Sequence, residues 1–365
     1  MRYGPHKAAA KRTALVLTPA LLLLALCPAP RAAGLPGFSV SAGVPLLGVA
    51  ASTGTVVAQG GNYSVPLPDG RTLWLLNNVW SGERKAGGQA SVWGIVDGAA
   101  AFAPSTSPYA QAASLRYVSD ENGWPLPLLS GEIKEYSQVR RFWPRSGLCA
   151  GGKCYVFYSI MNNFGPEPYD YFRVGQGVAW AQDPAGPYVK ARLATRYSLW
   201  NDIEPAFGSA AWADEDGWVY VYGRSAVAPG EYGAELARVK PENIASREKY
   251  SYYMQEASSA AWTSDVNEAS TLLEGMPDEF SVSYNERLKS YLLVYYDEKA
   301  AVVNARLAPA PWGPWDRPAK LIGCAPEDYC YGAKEQPGFA AEGGGKIFVT
   351  VEKKNAPYLY EITFK

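Results

Sequence analysis

Five segments of this chain share one pattern, a turn followed by a run of β-branched and aromatic residues. The segments are 70–76, 152–158, 217–222, 289–295 and 344–350. Such runs are typical of β-strands bounded by turns. A repeated unit that cannot bury both of its faces alone must stack against its neighbours. The pattern therefore restricts the fold to an assembly of five similar units.

Other strand-like stretches lie upstream and downstream of these segments. Upstream, five stretches begin at an acidic or amide side chain: Gln59, Glu135, Glu204, Glu279 and Glu335. Downstream, third strands are predicted at 177–181, 234–238 and 302–306. Units of three or four antiparallel strands predict an all-β fold, a five-bladed β-propeller, as a single domain over residues 34–365. A two-sheet sandwich is the alternative, but it does not predict the same three-part unit five times. We expect the C-terminal strand to close the ring by pairing near residues 45–58.

The first 33 residues have the pattern of a secretory signal peptide. Basic residues without acids precede an apolar run over residues 14–26, and small residues follow it. Pro19 interrupts the run, which is short for a membrane span. We therefore expect residues 1–33 to be a signal peptide and the mature protein to be exported, periplasmic or extracellular. A membrane anchor and a lipid-modified Cys27 are the alternatives.

The composition of the mature chain excludes several classes of function. The sole histidine, His6, lies in the leader, so Ser-His-Asp catalysis, Cys-His catalysis and His-ligated zinc are excluded. Without the leader, 29 basic and 35 acidic residues remain, and no basic stripe favours a nucleic-acid partner. No other segment is apolar enough to span a membrane, and we expect a monomer.

Four cysteines of the mature chain form two closely spaced pairs, Cys149 with Cys154 and Cys324 with Cys330. Export to an oxidising compartment makes each pair a predicted disulfide. Four buried thiols are the alternative. The short, Gly- and Pro-containing intervals favour disulfides that hold loops.

The acidic residues at the starts of the repeats predict a site in the channel. The innermost strand of each propeller blade lines the central channel, so these side chains are expected near one mouth of it. Asp202 and Asp278 lie two and one residues before the glutamates of their repeats. Crowded carboxylates raise one another's pKa, and cleavage of a glycosidic bond needs one proton donor and one base or nucleophile. The alternative is structural, with each Glu binding backbone N–H groups or Arg side chains.

The chain also resembles a known group. Residues 61–82, GNYSVPLPDGRTLWLLNNVWSG, resemble the first-blade signature of a secreted bacterial domain family that includes D-arabinan-cleaving glycoside hydrolases. Residues 217–238 and 279–315 are similar to later blades of that family, and the whole chain more loosely resembles the arabinanase and fructosidase propellers. The resemblance covers most of residues 45–365. It implies a furanoside-cleaving enzyme that acts on an extracellular or cell-wall polysaccharide.

The chain departs from this family in its first blade. The family reads Phe-Gly-Asp-Thr where residues 76–79 read LNNV, so Asn78 replaces the acid. Asn can hydrogen-bond a sugar hydroxyl but cannot act as a base or nucleophile. A second acidic position of the family corresponds here to Gly60 or Gly61. A non-catalytic glycan-binding propeller and an envelope scaffold therefore remain as alternatives to an enzyme.

These observations give a set of candidate site residues for a polysaccharide or glycan partner. The predicted acid/base pair is Glu204 and Glu279, supported by Asp202, Asp278 and Glu135. Sugar-binding candidates are Asn78, Trp80, Arg140, Glu335, Gln59 and Tyr171. No cofactor or metal is expected, except that residues 214–217, DEDG, resemble a calcium loop as an alternative to a hairpin turn.

Overall fold

Five antiparallel sheets form the fold in the computed structural model. The structure describes residues 34–46, 56–85, 90–104, 107–111, 115–131, 139–167, 170–194, 196, 198–256, 260–354 and 356–365. The leader, Cys27 and Glu135 lie outside the described residues.

The strands follow one another blade by blade. Two short strands come first, β1 (Phe38–Val40) and β2 (Val44–Pro45). Blade 1 contains β3 (Val56–Gln59), β4 (Tyr63–Pro66), β5 (Thr72–Arg84), β6 (Ala90–Ala103) and β7 (Arg116–Tyr117). Blade 2 contains β8 (Arg140–Ala150), β9 (Lys153–Asn163), β10 (Tyr171–Ala181), β11 (Val189–Lys190) and β12 (Trp200–Asn201). Blade 3 contains β13 (Ala206–Ala213), β14 (Val219–Ala228), β15 (Glu231–Val239), β16 (Ser251–Gln255), β17 (Ala260–Thr263) and β18 (Leu273–Glu274). Blade 4 contains β19 (Phe280–Asn285), β20 (Ser290–Asp297), β21 (Val302–Ala308) and β22 (Ala319–Gly323). Blade 5 contains β23 (Cys330–Glu335), β24 (Lys346–Lys353) and β25 (Ala356–Phe364).

Short 3₁₀ turns connect some of these strands. The turns are Pro108–Ala110, Pro241–Asn243, Arg247–Lys249, Val266–Glu268, Pro326–Asp328, Pro337–Phe339 and Glu342–Gly344.

The sheet order confirms the five-bladed propeller. In each sheet the chain runs from an inner strand outward, and the five repeated segments form the second strands, β5, β9, β14, β20 and β24. The N-terminal strands β1 and β2 complete blade 5 by pairing with β25. The closure partners are therefore residues 38–40 and 44–45. The predicted window of 45–58 lies mostly too far along the chain, because residues 56–59 already form β3 of blade 1.

Apolar residues fill each boundary between neighbouring blades. Blades 1 and 2 share a cluster around Leu75 and Val156, and blades 2 and 3 share one around Phe157 and Phe207. The other three boundaries are packed in the same way. Their central residues are Tyr220 with Leu293, Val294 with Ile347, and Trp74 with Phe348. Burial of both faces of every sheet is the stacking that the repeat pattern requires.

Blade 5 corrects one of the predicted inner strands. Residues after Glu335 were expected to form it, but Pro337–Phe339 is a 3₁₀ turn and β23 lies before them. Pro337 has no N–H to donate to a strand ladder, so the strand ends there.

Two disulfides form as predicted, Cys149–Cys154 across the β8–β9 hairpin and Cys324–Cys330 at the start of β23.

Within the described ranges, no helix has the length and apolar character needed to cross a membrane.

Candidate active site at the channel mouth

Charged side chains from the inner strands of three blades are in contact inside the ring. Glu279 directly precedes β19, and its Oε2 lies 2.8 Å from Lys334 Nζ of β23. Its Oε1 accepts from Asn77 Nδ2 at 3.0 Å and lies 3.4 Å from Arg145 Nη1 of β8. Both oxygens of Glu279 are therefore occupied by donors from blades 1, 2 and 5.

Lys334 is the cation at the centre of this group. Its side chain is 1% exposed, and its ammonium also donates to the carbonyls of Gly61 and Gly332, each at 2.5 Å. It lies 3.7 Å from Oε1 of the buried Glu352 on β24. Gly332 makes this approach possible, because its φ of +60° suits glycine and a Cβ there would come within 2.9 Å of Glu279 Oε2.

Asp278, the residue before Glu279, has a more solvent-exposed carboxylate. Its side chain is 36% exposed, and one oxygen lies 2.5 Å from Nη2 of the buried Arg145. Arg173 donates to the backbone carbonyl of Asp202 at 2.7 Å, and the Asp202 side chain itself is exposed. Asp278 thus combines a fixed position with access from solvent.

A second carboxylate, Asp97 on β6, was not predicted from the sequence. Its side chain is 13% exposed; Arg141 Nε lies 2.8 Å from one oxygen, and Trp143 Nε1 donates to the other at 2.9 Å. Asn78, its cross-strand partner, donates to Asp97 at 2.9 Å in the amide orientation that satisfies both of its polar atoms. Burial raises the pKa of Asp97, against the opposing effects of Trp143 and Arg141. The available signal was that Asp97 is the lone charged residue in strand 90–103.

The Trp143 ring lies between Asp97 and the arginine that holds Asp278. Its indole N–H contacts Asp97, and the Arg145 guanidinium that holds Asp278 lies 5.8 Å from its ring centroid. The predicted sugar-binding residue Tyr171 packs against it, with ring centroids 5.4 Å apart. We call Asp97, Trp143, Arg145, Asp278 and Glu279 the carboxylate cluster. It offers three carboxylates, a cation and an aromatic ring from blades 1, 2 and 4.

Glu204, the other member of the predicted acid/base pair, has a separate set of contacts. Its carboxylate forms an ion pair with Arg247 and accepts the N–H of Asn201 at 2.7 Å, while Arg173 binds its backbone carbonyl at 2.9 Å. Arg247 belongs to the turn before β16, far out in blade 3. The structure therefore holds Glu204 in a structural contact and does not bring it to Glu279.

Glu335 and Gln59 are buried beside the channel. Glu335 accepts a hydrogen bond from Ser283, its N–H donates to Ser281 Oγ at 2.7 Å, and burial raises its pKa to about 7. Adjacent strand residues face opposite sides, so Lys334 reaches Glu279 and Glu352 whereas Glu335 reaches the serines of β19. Gln59 donates to Asn62 at 2.6 Å and accepts from Tyr117.

The remaining predicted residues lie around the mouth. Arg140 Nε donates to Asn162 at 3.1 Å, and Trp80 is half-buried opposite Ile95. Residues 214–217 form the β13–β14 hairpin turn, closed by a 3.1 Å bond from the Gly217 N–H to the Asp214 carbonyl. Among the described side chains, no group of three or more His, Cys, Asp or Glu is placed to hold a metal ion.

Below the cluster, the channel widens into a cavity of about 310 Å³. Apolar side chains such as Val65, Ala210 and Val282 line it, together with Glu335. The ion pairs of Glu279 lie between this cavity and the mouth, and Lys334 borders both. The more open carboxylate, Asp278, is on the mouth side.

Comparison with protein families gives one assignment. The model of a domain of unknown function, DUF4185, matches residues 106–363. The range includes the later-blade stretches 217–238 and 279–315, so it agrees with the resemblance seen there. No curated protein matches the chain.

Solved structures share the fold at low sequence identity. A provisionally assigned hydrolase from Bacteroides ovatus aligns over 85% of this chain and 86% of its own, with a TM-score of 0.63 and 16% identity. A family 117 glycoside hydrolase from the marine bacterium Zobellia galactanivorans aligns over 89% and 90%, with a TM-score of 0.51 and 11% identity. A GH43_1 enzyme from Xanthomonas citri, complexed with xylose, aligns over 88% and 89%, with a TM-score of 0.50 and 14% identity. These likenesses establish the propeller fold.

Proposed function

This chain belongs to the DUF4185 family, and on that basis we propose that it is an exported, carbohydrate-active propeller that hydrolyses glycosidic bonds at the carboxylate cluster. The substrate is an extracellular or cell-wall polysaccharide, with furanosides the first class to test. The observation that carries the proposal is the pairing, around Trp143, of an open carboxylate held by an arginine with a second carboxylate whose pKa is raised.

The two carboxylates suit the two roles that glycoside hydrolysis needs. Asp97 has the raised pKa expected of a proton donor, so it would protonate the leaving oxygen as the glycosidic bond breaks. Asp278, fixed by Arg145 and open to solvent, would take the proton from the attacking water or attack the sugar carbon itself. The ring pair of Trp143 and Tyr171 offers an apolar face to the sugar.

Glu279 and Lys334 support this arrangement from beneath. Their ion pair, together with Arg145, fixes the floor of the mouth and orients the guanidinium that holds Asp278. Glu279 is therefore a positioning residue in this proposal, and Glu204 stabilises the start of blade 3 through Arg247.

Incubation with arabinans, fructans and bacterial wall glycans, followed by product analysis, tests the proposal. The wild type should release oligosaccharides from one of them. Asp97→Asn should lower the rate by about 10²–10⁴-fold, because that range is typical for loss of a general acid. Asp278→Asn should lower it at least as much, although Asn keeps a hydrogen bond to Arg145.

A matched control is Asp69→Asn. Asp69 is a paired carboxylate in the exposed turn between β4 and β5, at the other end of blade 1. It should leave the rate unchanged. Equal rates in the wild type and both cluster variants would refute the assignment of Asp97 and Asp278.

A non-catalytic glycan-binding propeller is the second candidate, favoured by Asn78 in place of the family's first-blade acid and by the ion pairs that occupy Glu204 and Glu279. It predicts that all these proteins bind a glycan and that none yields products.

A further inference from the structure

The β5–β6 hairpin extends the mouth of the channel and carries several exposed apolar side chains. Its strands pair with Asn78 opposite Asp97 and Trp80 opposite Ile95, and farther out a bulge leaves Trp93 as an extra residue between the Ser81–Gly94 and Gly82–Val92 pairs. Residues paired directly in an antiparallel ribbon project to the same side of it. Since Asp97 contacts Arg141 and Trp143 of blade 2, the side that carries Trp80 and Ile95 faces blade 2 as well.

An exposed aromatic pair lies farther out on the same hairpin. Trp93, the extra residue of the bulge, packs against Trp124 with ring centroids 5.7 Å apart. The segment of Trp124 leads into Leu128, which lies in the cluster between blades 1 and 2. Trp93 is 53% exposed, Trp124 37% and Ile95 47%.

The result is an apolar stripe along the hairpin that carries Asp97. Successive residues rise about 3.3 Å along a strand, so Trp93, four residues from Asp97 on β6, lies at most about 13 Å along the hairpin from the cluster. We propose that this stripe, comprising Trp80, Ile95, Trp93 and Trp124, binds the part of a glycan chain that extends beyond the cleaved bond. The inference rests on the proposed function and deepens it, because it makes the substrate a chain of several sugars.

The chemistry of the stripe fits a sugar chain better than a protein partner. Flat aromatic rings match the C–H faces of sugar rings, and an exposed apolar patch of this kind marks a binding site. A stable protein–protein interface draws on about 20–30 residues a side. The stripe offers only four side chains, and three of them lie on the hairpin that carries Asp97.

Affinity electrophoresis and activity assays on arabinan polymer and on an arabinose trisaccharide test this inference. The double variant Trp93→Ala/Trp124→Ala should bind the polymer about tenfold more weakly, as expected when two stacking contacts are lost. Its activity on the trisaccharide, which is too short to reach the outer pair, should equal that of the wild type. Tyr109→Ala, a change at another exposed aromatic in the turn that follows β6, should behave as the wild type on both substrates.

The possible outcomes separate the two proposals. If the wild type cleaves or binds arabinan and the double variant keeps the same preference for polymer over trisaccharide, the stripe proposal is wrong and the proposed function stands. An equal loss on both substrates also overturns the stripe proposal, since the pair would then serve the cluster itself. A wild type that neither binds nor cleaves either probe, nor the fructan and wall-glycan panel, overturns the proposed function and the stripe together.

Discussion

Glu335 links the stability of this protein to pH. Its carboxyl is buried beside the channel cavity, and burial raises the pKa to about 7 from its ordinary 4.5. The folded state therefore binds this proton more tightly than the unfolded chain does. Stability from this group is fully present below pH 4.5, falls as the pH rises to about 7, and changes little above that.

We predict that Glu335→Gln flattens this dependence. A neutral amide keeps an oxygen that can accept from Ser283 but has no charge to desolvate. The variant should gain stability relative to the wild type as pH rises from 5 to 8, by at most about 3 kcal/mol. Urea unfolding of both proteins at the two pH values measures the difference. A difference that is constant between the two pH values would contradict the assignment.

Single residues were the hardest feature to predict from the sequence. The chain shows that Asn78 replaces an acid, but only the pairing of β5 with β6 shows Asp97 beside it. The chain shows Glu204 and Glu279 at similar places in their repeats, yet Arg247 binds one and Lys334 the other. Which cation reaches which carboxylate depends on folded contacts that repeat spacing does not encode.

At the scale of elements, β23 shows how one irregularity redirects a site. The bulge between Tyr331 and Lys334 shifts the register against β24 by one residue, which reverses the sides that Lys334 and Glu335 face relative to the start of the strand. The sequence predicted the second strands well, because their aromatic and β-branched runs are local signals. It misplaced the inner strand of blade 5, because the predicted stretch after Glu335 contains Pro337, which ends the strand.

We predict that Lys334→Met destabilises the protein by about 3–5 kcal/mol, the range found when one partner of a buried ion pair is removed. Glu279 and Glu352 would lose their shared ammonium, while the volume at the site would change little. Adding Glu352→Gln should recover part of the loss, because burial already disfavours the charge of Glu352 and raises its pKa.

Lys346→Met is the control for this experiment. Lys346 pairs with Glu342 at the surface, where an ion pair contributes about 0–1 kcal/mol. Urea unfolding should rank the Lys334 variant well below this control. Equal stabilities would show that Lys334 does not hold the blades together.

At the scale of the whole molecule, the repeats predict the number of blades. They do not predict which strands close the ring. Five similar units required five stacked sheets, and five packed boundaries are present. Residues 38–40 and 44–45 complete blade 5, although their sequence lacks the repeat pattern. These strands are specified by the open edge of β25 that they cover, a constraint that exists only once the ring has formed.

The ring also determines where chemistry can occur. It places Asp97 and Asp278 at the mouth, the Glu279–Lys334 pair beneath them, and the apolar cavity below. A crystal structure of the Asp278→Asn variant with a bound arabinan oligosaccharide tests this arrangement most directly. The account predicts a sugar ring over Trp143, with a glycosidic oxygen within hydrogen-bonding reach of Asp97. A sugar found in the lower cavity, or on another face of the blades, would contradict it.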